Sequence, residues 1–183
     1  MMRAIPREGQ PWKASDASYL AGFLDGDGSI HFQFVKQKEY RFGYYIRASM
    51  SLSQSTTARA GLEHLQALIG GGYLRDRGTG MSDLVITSRP LLITVLKRVE
   101  PYVIFKKVHV SRALNLLPRI RTGMSAKEFV LVAHDVDDFS SLNYSKTKQI
   151  TAADVEQHLR SKGWMVPVTT SLPARQGDGI AGK

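Results

Sequence analysis

The spacing of apolar residues changes twice in the first third of the chain. An apolar run that Ser15 or Asp16 can cap predicts a helix continuing to Leu24. Beyond it the period falls to two, which predicts strands over 31–38 and 45–53 with apolar side chains on one face and polar side chains on the other. The residues EYRFG separate these strands, so we expect them to form the turn of a hairpin.

The same succession of helix and hairpin then occurs once more. Helical spacing over 56–69 stops at three consecutive glycines, and two short strands, YLRDR and DLVITS, follow around the turn GTGMS. Prolines and capping residues predict further helices over 90–99, 106–117, 125–141 and 151–161. This order predicts an α+β fold, in which four antiparallel strands form one sheet, helices cover its apolar face, and its polar face stays open.

The regular patterning spans 15–163, where we expect a single folded domain. Two prolines and a glycine interrupt regular structure before it, which predicts an N-terminal arm over 1–14. The segment 164–183 is rich in proline, glycine and threonine and is predicted to be a flexible tail. No apolar run approaches the roughly 18 residues of a membrane span, and the lack of cysteine excludes disulfides, thiolate metal sites and a cysteine nucleophile.

The net charge of the chain indicates which class of molecule it binds. The chain of 183 residues carries 25 lysines and arginines against 16 acidic residues, a net charge of +9 at pH 7. Such an excess attracts polyanions, nucleic acid first and an anionic membrane second. A basic ribosomal or structural protein would carry a similar charge, so the number alone does not identify a function.

The segment YLAGFLDGDGSI, from Tyr19 to Ile30, places three glycines and two aspartates at the end of the first predicted helix. Gly22 and Gly26 are four residues apart and share one helix face. Small residues with this spacing let a second element approach the helix backbone closely. That element is either the sheet of the same chain or a second copy of the same helix, since two-fold homodimers are the commonest assembly.

Asp25 and Asp27 fall at the C-terminal end of that helix, where the helix dipole is negative. A carboxylate there needs a positive neighbour, and in a two-fold dimer Asp27 would also lie close to its symmetry mate. A divalent cation resolves this repulsion, and carboxylate and carbonyl oxygens suit Mg2+. A calcium loop starting at Asp25 is excluded, because Ile30 and Lys36 stand where such a loop needs glycine and glutamate.

The segment YLAGFLDGDGSI resembles the signature of the LAGLIDADG homing endonucleases, and further segments match in order and spacing: GGYLRDRG, SDLVI, PYVIFKK and LNYSKTK. The resemblance covers 16–160 and is to the single-motif, homodimeric branch of the family. It implies a curved sheet that forms a DNA-binding saddle, in an αββαββα core followed by C-terminal helices. The implied protein is an intron-encoded endonuclease. It makes a staggered double-strand cut with 3′ overhangs in a near-palindromic target of about 20 base pairs, by metal-dependent phosphodiester hydrolysis.

The resemblance also implies roles at the active site. Asp27 and the Gly26 carbonyl are expected to bind Mg2+, and Asp25 is expected to be structural at the helix end. Gln54 matches a residue that positions water and metal, and Lys106 matches a basic residue that stabilises charge at the scissile phosphate. We expect Asp27, Gln54 and Lys106 to be the catalytic residues, Mn2+ to substitute for Mg2+, and Ca2+ to bind without supporting cleavage.

One position departs from the family pattern. Ala58 stands where a relative has arginine, and the nearest basic side chain is Arg59, so it is open whether Arg59 takes that role. For the dimer interface, the resemblance implies contacts by residues of the signature helix, namely Leu20, Gly22, Phe23 and Gly26.

The polar face of the sheet is predicted to read bases in the major groove, where alternate side chains of an antiparallel ribbon face the base edges. The predicted contact residues are His31, Gln33, Gln37, Tyr40, Tyr45, Arg47, Ser51, Arg75, Arg77 and Asp83. Arginine suits guanine and glutamine suits adenine, while Asp83 is expected either to accept from cytosine or to orient Arg77. Ser145, Lys146 and Lys148 match family positions that contact the DNA backbone phosphates.

Two alternatives stay open beside the endonuclease: an RNA maturase that promotes intron splicing, and a regulator that binds DNA without cutting it. The joint presence of Asp27, Gln54 and Lys106 favours the nuclease. Neither a membrane partner nor a small-molecule substrate is expected. The sequence identifies neither the DNA target nor the host genome, and an organelle and a prokaryotic cytoplasm are both compatible with it.

Overall fold

The computed structural model describes residues 12–143 and 150–165 and has the α+β fold that the sequence predicts. The helices and strands are α1 (Ala14–Asp27), β1 (Gly28–Lys36), β2 (Tyr44–Ser55), α2 (Arg59–Ile69), β3 (Tyr73–Arg77), β4 (Met81–Ile86), α3 (Arg89–Val99), α4 (Lys107–Leu116), α5 (Ala126–Ser140) and α6 (Ala152–Ser161). Short 3-10 turns at Thr56–Ala58 and Leu117–Arg119 precede α2 and follow α4. Within the described ranges, no helix combines the length and the apolar character that crossing a membrane requires.

The four strands form one antiparallel sheet in the order β1-β2-β4-β3. Gly28 of β1 pairs with Leu52 of β2, and this register continues to Lys36 opposite Tyr44. On its other side, β2 pairs with β4 only over Met50–Ser55. The sheet is therefore four strands wide at the end where α1 enters it, and the candidate site lies at this wide end.

One face of the sheet is buried, because every second side chain along its strands is apolar. Along β2 the apolar residues Ile46, Ala48, Met50 and Leu52 are buried, while the residues between them are partly or fully exposed. Helices cover the buried face, with α1 packed on β1, β2 and α3, and α2 packed on β2 and β4. Each large apolar side chain buried in this way contributes roughly 1.5–3 kcal/mol. A slip of one residue would expose the whole set, so the alternation fixes which face stays open.

The N-terminal boundary of α1 differs from the prediction. Lys13 occupies the N-cap instead of Ser15 or Asp16. Asp16 lies within the first turn, where its Oδ2 accepts the Lys13 N–H at 3.1 Å. Trp12 also packs against the core, with the Arg98 guanidinium 4.8 Å above its ring. The last residues of the predicted arm therefore belong to the folded domain.

The C-terminal boundary of α1 differs as well. The helix continues past Leu24 to Asp27, and β1 begins directly at Gly28. Each glycine inside a helix disfavours it by about 1 kcal/mol. Leu20 and Leu24 are fully buried, however, and their packing offsets that penalty. Because Leu20 has no exposed surface, its predicted contact with a second subunit is wrong: it belongs to the core of its own chain.

The capping signals of the later helices are confirmed. The Ser125 Oγ accepts the Glu128 N–H at 3.2 Å, and the Thr151 Oγ1 accepts the Asp154 N–H at 3.2 Å, so both helices begin at a capping box. Gly70 ends α2 with a φ of +77°, a left-handed conformation that glycine adopts without strain.

Candidate active site and nucleic-acid interface

One face of α1 lies open at the surface. A Cβ atom placed on Gly22 or Gly26 would meet no atom within 4 Å, so nothing in the described part of the chain requires glycine at these positions. The side chains that turn towards the core are those of Ala17, Leu20, Ala21 and Leu24, on the opposite face of the helix. Packing against the chain's own sheet therefore does not explain the glycine spacing. The half-buried Phe23 and the exposed Tyr19 flank the two glycines.

Asp27 ends α1 at the surface, next to Gly28, whose N–H closes the helix by donating to the Leu24 carbonyl. Over residues 12–143 and 150–165, no hydrogen bond or ion pair engages the Asp27 carboxylate, and no three metal-ligating side chains lie together. The Gly26 carbonyl is one of the last four of the helix, which lack an intrahelical donor. At this end of α1, the described residues thus offer a cation one carboxylate and one carbonyl.

Asp25 joins the end of α1 to the start of α4. Its Oδ2 accepts the Ile104 N–H at 2.7 Å, and its Oδ1 accepts the Lys106 N–H at 2.8 Å. The Lys106 Nζ in turn donates to the Asp25 carbonyl at 2.6 Å. Asp25 therefore has the structural role expected of it, and Lys106 is bonded to a carbonyl two residues before Asp27.

Gln54 lies near the end of β2, at the wide end of the sheet. It follows Leu52 by two residues, and Leu52 pairs with Gly28, so Gln54 lies at the same end of the sheet as Asp27. Strand alternation places its side chain on the side of Leu52, where the helices pack. Its Oε1 accepts the Ser55 N–H at 2.9 Å, which leaves the amide Nε2 as a donor.

Arg59, the basic side chain nearest to Ala58, is paired with two carboxylates of its own chain. Ala58 is exposed at the end of the 3-10 turn, and Arg59 begins α2. The Arg59 Nε donates to Glu63 at 3.2 Å, and its Nη1 pairs with Asp76 of β3. Two carboxylates thus hold the guanidinium beside β3.

The predicted base-reading residues share the open face of the sheet. In β1 and β2, the register and alternation bring His31, Gln33, Tyr45, Arg47 and Ser51 to this face, and in β3 and β4 they bring Arg75, Arg77 and Asp83. Gln37 and Tyr40 lie in the turn that joins β1 to β2, where the Tyr40 ring stacks on Tyr45 at 4.6 Å. The Arg47 Nη2 donates to the Tyr45 hydroxyl at 2.6 Å. Ser145, Lys146 and Lys148 lie outside the described residues.

Asp83 is fully buried beneath two arginines of this face. Arg75 Nη2 and Arg77 Nε each donate to its Oδ2 at 2.7 Å, and the Ser53 Oγ donates to its Oδ1 at 2.7 Å. Burial on its own raises the pKa of Asp83, but the bonds from Arg77, Arg75 and Ser53 outweigh it and lower that pKa to about 2. Since Asp83 has no exposed surface, the predicted contact with cytosine is wrong. Its bonds to the Arg77 guanidinium are those that the other predicted role, orienting Arg77, requires.

Residues that the sequence prediction missed complete this face. Ser53 belongs to the Asp83 cluster, and the Ser29 Oγ lies 2.8 Å from the Ser51 Oγ across the β1–β2 pair. Strand parity was the signal that could have found both serines, because each occupies the same face as Arg47. Burial lowers the pKa of His31, so at pH 7 its imidazole is neutral and offers one donor and one acceptor.

Residues 20–111 match the model of the family described as LAGLIDADG endonuclease. The chain belongs to the LAGLIDADG endonuclease family. The matched LAGLIDADG region runs from within α1 through the whole sheet to α4, and so includes the residues at the end of α1, Gln54 and Lys106.

The similarity to LAGLIDADG proteins extends over most of the chain. The DNA endonuclease I-CvuI of Chlorella vulgaris is 30% identical over 149 residues, which cover 81% of this chain and 92% of I-CvuI. The DNA endonuclease I-CreI of Chlamydomonas reinhardtii is 33% identical over 144 residues, which cover 78% of this chain and 88% of I-CreI. A crystal structure of I-CvuI with its target and 2 mM calcium has a TM-score of 0.79 at 29% identity, and covers 84% of this chain and 98% of that one.

Proposed function

We propose that this LAGLIDADG protein is a site-specific DNA endonuclease that acts as a homodimer and hydrolyses phosphodiester bonds with a divalent metal ion. The observation that carries the proposal lies at one end of α1. There, the open helix face that carries Gly22 and Gly26, called the glycine face below, adjoins the Asp27 carboxylate, which has no partner among the described residues. In a two-fold dimer the glycine face becomes the contact, and the carboxylate becomes half of a metal site.

The dimer explains why glycine stands on an exposed helix face. Gly22 and Gly26 lower the helix propensity of α1 without relieving any crowding among the described residues. A second α1 packed against this face would need their small size, because two helices approach backbone to backbone only where side chains are absent. Phe23 and Tyr19 beside them offer apolar surface for the same contact.

The donor atoms at the end of α1 fit magnesium. Mg2+ prefers hard oxygen ligands and is usually held by one or two carboxylates together with water and substrate phosphates. Asp27 and the Gly26 carbonyl supply such oxygens. Bound Mg2+ would lower the pKa of a water molecule and neutralise charge on the scissile phosphate. We expect Mn2+ to replace it, and Ca2+ to support DNA binding without cleavage.

Two further side chains are suited to the phosphate and to the attacking water. The Lys106 ammonium has three N–H donors, and the Asp25 carbonyl uses one, so two stay available for a phosphate oxygen. Gln54 keeps its Nε2 donor after its Oε1 has accepted the Ser55 N–H, and this amide can orient water. Both would stabilise charge that develops as the bond breaks.

The open sheet face is suited to a major groove. It presents Arg47, Arg75 and Arg77 together with glutamine, tyrosine and serine side chains, and the chain as a whole carries a net charge of +9. Arginine pairs with guanine and glutamine with adenine through two hydrogen bonds each. A homodimer that places two such faces side by side would read a near-palindromic target.

Cleavage of a DNA library tests the proposal. The protein is incubated with plasmids that carry randomised inserts, in Mg2+, Mn2+ or Ca2+, and the ends produced are sequenced. We expect Mg2+ and Mn2+ to yield double-strand ends with 3′ overhangs at one family of near-palindromic sites, and Ca2+ to yield none. The isosteric variant Asp27→Asn should abolish cleavage, while its affinity for the selected duplex stays within about threefold of the wild type, because only a metal ligand is lost.

The same experiment separates the alternatives. A regulator or a maturase would retain DNA or RNA in a binding assay and produce no ends in any metal. Cleavage by Asp27→Asn at the wild-type rate would show that the metal site has been placed on the wrong residue.

A further inference from the structure

We propose that Asp25 is a positioning residue for DNA cleavage, whose carboxylate anchors the backbone of Lys106 and so holds the Lys106 ammonium at the end of α1, the helix that also carries Asp27. The inference deepens the proposed function and rests on it. The hydrogen bonds between Asp25 and the segment Ile104–Lys106 carry it, and these bonds join residues 79 and 81 positions apart in the chain.

The two helix ends satisfy each other's free backbone groups. The Asp25 carbonyl is among the last four of α1, and the Lys106 N–H precedes the first turn of α4, so neither has a partner within its own helix. The Lys106 Nζ donates to that carbonyl, and the Asp25 carboxylate accepts the N–H groups of Ile104 and Lys106. Each helix end therefore supplies a side chain that bonds to the backbone of the other, and the Lys106 ammonium makes one of these bonds.

This arrangement also explains an acid at an unfavourable place. The C-terminal end of α1 repels the Asp25 carboxylate, whereas the N-terminal end of α4 and the nearby Lys106 ammonium attract it. The favourable interactions belong to α4 rather than to the helix that carries Asp25. An acid at this position is thus useful only if the start of α4 lies against it.

Burial does little to hold the segment that Asp25 binds. Ile104 is 75% exposed and Phe105 is 81% exposed, and the preceding core residue is Val103. A lysine side chain has about 2 kcal/mol of rotamer entropy to lose when it is fixed. The bond from Nζ to the Asp25 carbonyl restricts this freedom before substrate binds, and the two bonds to the Asp25 carboxylate fix the backbone from which the side chain extends. A misplacement of about 1 Å at a reacting centre can slow a reaction by about a hundredfold.

A double-mutant cycle tests the proposal. Asp25→Asn preserves the shape of the side chain but removes its charge and one of its two acceptors, and Lys106→Met removes the ammonium. Single-turnover cleavage of the library-selected duplex is measured in Mg2+ for each variant and for the double variant, together with the dissociation constant in Ca2+ and the thermal midpoint. The matched control is Asp16→Asn, which removes a carboxylate bond at the other end of α1.

We expect Lys106→Met to slow cleavage by about a hundredfold and Asp25→Asn by about tenfold, with dissociation constants within about twofold of the wild type. The double variant should cleave about as slowly as Lys106→Met alone, because the two residues act as one unit. Asp16→Asn should lower the thermal midpoint and leave the cleavage rate unchanged. Asp25→Glu, which retains the charge but is one methylene longer, should also slow cleavage without weakening binding.

Other outcomes decide against the inference. If Asp25→Asn slows cleavage by the same factor with and without Lys106, Asp25 acts through the stability of α1, and the positioning role is rejected. Wild-type rates for both Asp25→Asn and Asp25→Glu, with Lys106→Met slow, reject this inference alone. Wild-type cleavage by Asp27→Asn rejects the proposed function itself.

Discussion

Asp83 has no solvent exposure, although it belongs to the one face of the sheet that the helices leave open. Two arginines and a serine surround its carboxylate, so its charge is neutralised within the protein. Each guanidinium has five N–H donors and gives one or two to Asp83, which leaves others for base edges. Asp83 therefore fixes where the guanidinium groups of Arg75 and Arg77 point, and any effect that it has on DNA recognition would pass through these two side chains.

The low pKa of Asp83 predicts how stability depends on pH. Its pKa is about 2 in the folded protein against an ordinary value of 3.8, so the unfolded chain takes up the proton first as the pH falls. The stabilisation is thus complete above about pH 4 and is lost as the pH falls through about 2, and the shift corresponds to roughly 2 kcal/mol. At pH 7, urea unfolding of Asp83→Asn should therefore give a free energy of unfolding that is lower than that of the wild type by this amount. The difference from the wild type should shrink towards pH 2, and a constant difference at all pH values would contradict the assigned cause.

At the scale of helices and strands, the sequence predicted what is decided locally. Period-two alternation identified both faces of β1 and β2, because burial on one side of a strand imposes that period. The capping boxes at Ser125 and Thr151 located two helix starts, since each is formed within four residues. The ends of α1 were misplaced, because Leu20 and Leu24 are held by tertiary packing that outweighs the glycines.

In the candidate site, too, the sequence predicted residues that belong to a local motif and missed contacts between distant parts of the chain. The signature segment located Asp27, and the family resemblance brought in Gln54 and Lys106. The bonds between Asp25 and Lys106 span 81 residues, and no local pattern encodes such a contact. The burial of Asp83 likewise depends on side chains from two neighbouring strands. Spacing alone also left two explanations for the glycines of α1, and only the empty space around them removed one.

Because Gly22 and Gly26 lie on an open face of α1, substitutions on this face test the proposed dimer. In Gly22→Leu no atom of residues 12–143 and 150–165 lies within 4 Å of the new Cβ, and leucine favours helix over glycine by up to about 1 kcal/mol. We therefore expect the thermal midpoint of the single chain to stay the same or rise. The mass measured by light scattering with DNA present should fall from that of two chains to one, and cleavage should be lost.

The control for Gly22→Leu is Ala153→Leu, which places the same side chain on an exposed position of α6. It should leave both the mass and the cleavage rate unchanged. A Gly22→Leu protein that still forms dimers and cleaves DNA would mean that the subunits meet elsewhere.

The basic side chains of the protein are expected to serve two ends, affinity for any DNA and discrimination between sequences. The chain has a net charge of +9. On the open sheet face, β2 and β3 contribute three arginines to the basic residues, namely Arg47, Arg75 and Arg77. Contacts with phosphates release counterions and hold the protein on any sequence, while contacts with base edges distinguish sequences. The two kinds of residue should therefore respond differently to salt and to base changes in the target.

Lys146 and Lys148 are predicted to bind phosphate, and Arg75 is predicted to bind a base. Replacing both lysines with alanine removes four positive charges from a dimer, so the slope of log K against log salt concentration should become shallower by about 3 to 4. The ranking of targets with single base changes should stay the same, because phosphate contacts carry no sequence information.

Arg75→Ala should instead reduce discrimination at one base pair in each half-site by about 1–3 kcal/mol. Fluorescence anisotropy titrations in Ca2+, at several salt concentrations and on a panel of substituted duplexes, measure both quantities. The assignment fails if the lysine variant reorders the panel, or if Arg75→Ala weakens all duplexes equally.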